Sequence, residues 1–127
     1  MESLKLVSAE YVLADTSVWI RHFRATDLRL VRLLEENRVV MHPAVLLQLS
    51  LGSIPKREST LHDLRALKVI NEISYNELTS FIQDNQLFST GLGAVDVSLL
   101  AATLASKTEL WSLDKALARE CRRLSKC

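Results

Sequence analysis

The sequence predicts an α/β fold built on a short, mainly parallel sheet, and three observations carry that prediction. Four brief apolar runs, YVLA, VVMHP, KVI and ELWSL, are each too short for a helix and have no polar alternation. The segments between them place apolar residues at helical spacing. Strand and helix alternate along the chain, which implies parallel strands in one sheet covered by helices on both faces.

Taken in order, YVLA at 11–14 is a buried strand running into Asp15, and TSVWIRHF behind it has helical spacing, so a strand, a tight turn and a helix are expected. In TDLRLVRLLEEN, Thr26 is the expected cap, Asp27 falls in the first turn, and Leu28, Val31 and Leu34 form the apolar stripe. VVMHP supplies the next strand, and Pro43, with its fixed φ, suits the opening of a helix AVLLQLSLG that stops near Gly52. SIPKREST reads as an exposed turn before the helical LHDLRAL and the short run KVI. Ser74 and Glu77 have capping-box spacing at the head of SYNELTSFIQDNQLF, whose stripe is Leu78, Phe81 and Ile82. After the glycines at 91 and 93 come a small-residue apolar helix, AVDVSLLAATLASK, the strand ELWSL, and a basic terminal helix, DKALARECRRL. There are no internal repeats.

The 127 residues suffice for one sizeable core, so residues 1–127 are expected to form a single domain. Apolar residues at 48% and charged residues at 24% exclude a disordered chain. A formal charge of +1 excludes a grip on nucleic acid by bulk electrostatics, so chemistry on a phosphate backbone has to be local. No basic leader with a long apolar core and no stretch of eighteen apolar residues occurs, so a soluble, cytoplasmic protein with no membrane association is expected. Cys121 and Cys127, six residues apart, fall on different faces of a helix, and neither a disulfide nor a metal role is expected of them.

Asp15 ends the first strand and Asp114 follows the last, so in a parallel sheet both emerge at the edge where ligand crevices lie. Asp96 stands in the first turn of an otherwise apolar helix. Each has a structural reading as well: Asp in a first turn suits the helix dipole, and Asp in a turn bonds nearby amides. Three carboxylates gathered without a counter-charge would repel by roughly 4 kcal/mol for each pair ~4 Å apart at an effective dielectric near ~20. A hard divalent cation relieves that load. Oxygen donors without clustered Cys or His suit Mg2+, or Mn2+ in its place, better than zinc, and support water attack on a phosphodiester.

VLADTSVWI, PAVLLQLSLG, TGLGAVDVSLLAA and LWSLDKAL, in this order and spacing, resemble the successive motifs of PIN domains, and are most similar to those of VapC-type toxins. The resemblance runs from Tyr11 to about Arg123. It implies a PIN-like three-layer α/β/α domain and a Mg2+-dependent endoribonuclease that restrains translation by cutting tRNA or rRNA. It also implies a homodimer, neutralised by a cognate antitoxin whose short segment covers the groove. Position by position, Asp15 matches the first metal-binding aspartate, Asp96 the third acidic residue and Asp114 the fourth, with Thr16 and Ser17 matching the hydroxyls after the first. Gln48 stands where the resemblance leads one to expect glutamate. Glutamine is nearly isosteric and can still ligate through its amide oxygen, but it lacks the negative charge and cannot serve as a base. The expected catalytic set is therefore Asp15, Gln48, Asp96 and Asp114, with turnover impaired at position 48. The rival reading is a catalytically silent module that binds RNA or antitoxin. A phosphotransferase with an aspartyl nucleophile is disfavoured, because ADTS has no second aspartate two residues on.

Other residues carry two readings each. Lys115, Arg119, Arg122, Arg123 and Lys126 either guide an RNA backbone or form a solvated helix face, with Lys115 and Arg119 nearest the site, alongside Thr16 and Ser17, as candidate substrate contacts. Arg21 and Arg24 are candidate phosphate contacts or ordinary surface residues. His22, His42 and His62 show no ligand spacing, and Trp19 and Trp111 read as core before base-stacking. Leu46, Leu47, Leu49 and Leu51 exceed one buried stripe, marking an interface or full burial.

Overall fold

A computed structural model describes residues 10–125. In chain order the elements are β1 (Val12–Ala14), α1 (Thr16–Arg24), α2 (Leu28–Glu35), β2 (Val39–Met41), α3 (Pro43–Leu51), α4 (Arg57–Arg65), β3 (Lys68–Val69), α5 (Tyr75–Asp84), α6 (Ala94–Ser106), β4 (Glu109–Trp111) and α7 (Lys115–Ser125). The strands pair in parallel throughout, in the order β3-β2-β1-β4, with Leu13 set between Val40 and Leu110.

Every residue of β1 and β2 is buried, which is why these strands read as unbroken apolar runs. Helices supply the rest of the core through Val18, Leu30, Leu33, Val45, Leu49, Leu99, Leu100 and Leu117. Each fully buried side chain of this kind stabilises by about 1.5–3 kcal/mol relative to exposure. The edge strand β3 is different: Lys68 and Val69 are both exposed, and the Lys68 ammonium lies 4.2 Å from the Tyr11 ring centroid.

The strand order positions the site. The chain lays down β1, β2 and β3 in one direction, then returns to place β4 on the other flank of β1. The sheet reverses its winding between β1 and β4, and in open parallel sheets the ligand crevice lies beyond the carboxyl ends of the strands at such a switch.

Three local expectations are corrected. Helix α2 is capped by Asp27 rather than Thr26, because the Asp27 carboxylate both accepts from the Leu30 amide at 3.1 Å and pairs with Arg21 at 2.6 Å. Helix α4 begins at Arg57, inside the expected turn, where the Ser59 and Thr60 hydroxyls bond back to the Lys56 and Pro55 carbonyls. Cys121 is disulfide-bonded, against expectation. That expectation assumed one continuous helix with the two cysteines on different faces, whereas the described helix is Lys115–Ser125, and Lys126 and Cys127 lie outside the described residues.

Candidate active site

Asp15 is the first residue beyond β1, and its amide extends the strand pairing by donating to the Trp111 carbonyl at 3.0 Å. Its extended backbone makes it the N-cap of α1, and the residue is 6% exposed. Oδ1 accepts from the Ser17 amide at 2.9 Å, the Val18 amide at 3.3 Å and the Ser17 hydroxyl. Oδ2 accepts from the Ser112 hydroxyl at 2.5 Å.

Two serine hydroxyls therefore tie the ends of β1 and β4 together. Ser112 Oγ donates to Asp15 and accepts from the Asp114 amide at 2.9 Å, while Ser17 Oγ donates to Asp15 and accepts from the Leu113 amide at 3.1 Å. Asp114 in turn caps α7, with Oδ1 accepting from the Leu117 amide at 2.9 Å.

Asp96, half-buried in the first turn of α6, accepts from the Gly93 amide through Oδ2 at 3.1 Å. Burial pushes its carboxyl above the ordinary range. The Gly93 N–H opposes this, while the negative charges of Asp114 and Asp15 push the same way. The three carboxylates thus share one electrostatic neighbourhood. They are not packed as a ready-made ligand set: among the described residues no group of three or more His, Cys, Asp or Glu is gathered closely enough to hold a metal ion.

Gln48 is exposed on α3, and its Oε1 accepts from the Thr16 hydroxyl at 2.5 Å, so position 48 reaches the residue next to Asp15. The helix that carries it is opened by Pro43 and capped by buried His42, whose Nδ1 accepts from the Ala44 amide at 2.9 Å. Burial holds the His42 pKa below the ordinary imidazole value, against the pull of Glu72. A protonated Nδ1 could not accept this bond, so the cap belongs to the neutral ring.

The other candidates separate clearly. Thr16 and Ser17 are at the site, with their hydroxyls engaged as described. Lys115 is exposed just after Asp114. Arg119 is committed elsewhere, to Glu120 at 3.2 Å and to the Thr90 carbonyl at 3.4 Å. Arg21 is paired with Asp27, and Trp19 is buried core. Trp111 is half-buried under the Arg29 guanidinium, 4.4 Å from its centroid. His22 accepts from the Asp27 amide at 3.0 Å, and His62 is exposed. Leu49 is buried, but Leu47 and Leu51 are 62% and 81% exposed, so full burial of this leucine cluster is ruled out. A hollow of about 680 Å³ between α5 and α6, floored by Phe81, Ala101 and Leu104, touches none of the carboxylates. Ser112 escaped the sequence reading. Its signal was the Ser-x-Asp spacing in WSLD, which suits a hydroxyl-to-amide turn.

A parallel sheet with carboxylates at its winding switch defines a PIN-like α/β domain. The crystal structure of PAE2754 from Pyrobaculum aerophilum shares the fold, with a TM-score of 0.61 over 87% of this chain and 84% of that one at 15% identity. More particularly, this chain is 40% identical over 111 residues to Ribonuclease VapC32 of Mycobacterium tuberculosis, in strains CDC 1551 / Oshkosh and H37Rv, covering 87% of this chain and 90% of the relative. The chain belongs to the VapC family of PIN-like ribonucleases. No protein-family model matches it. Among the described residues, no helix is long and apolar enough to cross a membrane.

Proposed function

We propose that this chain is the toxin of a VapBC-like pair, a divalent-metal-dependent endoribonuclease whose turnover is impaired by Gln48. One observation carries the reading: Asp15 and Asp114 are bridged through Ser112 at the winding switch, with Asp96 in their field. The chemistry of the donor set fits a hard divalent cation, because every donor is an oxygen and Asp96, its carboxyl raised chiefly by burial, is pushed further the same way by the charges of Asp114 and Asp15, which a cation would neutralise. Asp15, Asp96 and Asp114 would hold Mg2+, or Mn2+ in its place. Bound there, the ion supplies charge neutralisation and a more acidic water for attack on a phosphodiester.

The chain's own residues divide the remaining work. Ser17 and Ser112 orient Asp15 through the hydrogen bonds that its two carboxylate oxygens accept. Thr16 holds the side chain at position 48. A glutamate there would add a fourth negative charge and a proton acceptor, and Gln48 provides neither. Lys115, exposed beside Asp114, is placed to meet an RNA backbone. The exposed pair Leu47 and Leu51 supports a homodimer or antitoxin contact on α3. A cytoplasmic setting fits a toxin acting on tRNA or rRNA.

The test is Mg2+-dependent cleavage of a tRNA and rRNA pool by this chain and by its Gln48→Glu form, with chelator controls. Cleavage by the Gln48→Glu form, abolished when Asp15→Asn is added, is the expected result. If neither form cuts, the protein is instead a silent module that binds antitoxin or RNA.

A further inference from the structure

Glu120 has no part in the chemistry above, yet it is buried in the middle of α7, its side chain 8% exposed. It accepts from Arg123 Nε at 2.7 Å through Oε1 and from Arg119 Nε at 3.2 Å through Oε2. Because Glu120 takes the Nε of each arginine, the outer nitrogens remain free to reach further. Arg123 Nη2 donates to the Asn85 carbonyl at 2.8 Å, and Arg119 Nη2 donates to the Thr90 carbonyl at 3.4 Å.

Both carbonyls belong to the connection from α5 to α6. That connection contains three left-handed residues, Gln86 at φ 54, Ser89 at φ 60 and Gly91 at φ 87. Two of these are not glycine, and such backbone persists only when its surroundings hold it. The connection ends at Gly93, whose amide bonds Asp96. Helix α7 therefore begins at one site carboxylate, its cap Asp114, and from its middle grips the segment that delivers another.

We propose that Glu120 is a positioning residue: through Arg119 and Arg123 it fixes the 85–93 connection and so keeps Asp96 within the field of Asp114, where the two can close on a divalent cation. This rests on the metal-site reading above. The buried carboxylate locks two long side chains into one geometry, which neither exposed arginine would keep unaided. Glu120→Gln preserves the shape but removes the charge. Arg123→Lys preserves a cation for Glu120 but cannot bond both Glu120 and Asn85 in the same fork. It is the second variant should the first fold poorly.

The experiment uses the full chain, well below its melting temperature, with two readouts: amide hydrogen exchange across 86–93 and Mn2+ affinity by calorimetry. In both variants, exchange in 86–93 is expected to rise about tenfold while β1 stays protected. Mn2+ binding is expected to weaken by about tenfold, the usual size of a change in the groups that orient metal ligands. Unchanged exchange overturns the clamp. Faster exchange with the parent's Mn2+ affinity overturns the positioning role, leaving only a structural tie. If the parent itself binds no Mn2+, the metal reading fails separately. The clamp is then decided by the Gly93 amide proton shift, which moves in Glu120→Gln if the segment delivering Asp96 is held from Glu120, and does not move if it is not.

Discussion

The two walls of the acidic crevice are built differently. On the β1/β4 side, Asp15 is buried and accepts four hydrogen bonds, and Ser112 carries the network on to Asp114. On the α3 side, Gln48 is exposed and accepts a single bond, from Thr16. One wall is part of the core, while the other is a side chain laid against it. A change of chemistry at position 48 is therefore compatible with an intact fold, whereas a change at Asp15 removes a structural cap and a candidate ligand together.

Asp15→Ala should break the contrast most severely. It leaves the Ser17 and Val18 amides and two hydroxyls without their acceptor at a buried corner, so unfolding free energy in urea should fall by about 3 kcal/mol. A loss under about 1 kcal/mol would place Asp15 on the adjustable wall instead. Gln48→Glu tests the opposite wall: RNA cleavage should rise about 100-fold, the scale of a restored proton acceptor, while stability shifts by less than about 0.5 kcal/mol. A large stability change with no gain in cleavage would make position 48 structural. Smaller still, Ser112→Ala should cost about 1 kcal/mol, and Thr16→Ala, at the exposed bond, less than half that. Equal losses would erase the distinction between the walls.

The sequence made the rigid wall partly legible. Strands buried on both faces leave unbroken apolar runs, so β1 and β2 were readable, and with them the placement of Asp15 and Asp114 at strand ends. The resemblance supplied position 48. Ser112 was not readable, because a lone hydroxyl between Trp111 and Leu113 acquires meaning only once β4 is in register with β1. The cap of α2 was displaced by one residue because Asp27 gains from Arg21, a pairing set by tertiary structure. Arg119 looked like a free cation for RNA for the same reason: its partner carbonyl is 29 residues away in the chain.

The smallest effect bears on whether the crevice is electrostatically loaded. Asp96 has a folded pKa raised above the ordinary 3.8, so the stability it contributes is present below that value and lost as pH rises through the folded pKa. Above the folded pKa the metal-free chain has lost it. Asp114→Asn removes one of the charges responsible, and asparagine caps a helix about as well as aspartate, although the carboxylate's attraction to the α7 dipole is forfeited. In chelator the variant should be more stable than the parent by about 0.5 kcal/mol at neutral pH, the scale of one partly screened charge pair. That gain should disappear in acid, once Asp96 is protonated in both chains. With saturating Mg2+ the order should invert, because the carboxylate that repels Asp96 in the empty site becomes a ligand in the filled one. A variant that is less stable in chelator at neutral pH would show that Asp114 acts there as a cap alone, and that the crevice carries no charge load for a cation to relieve.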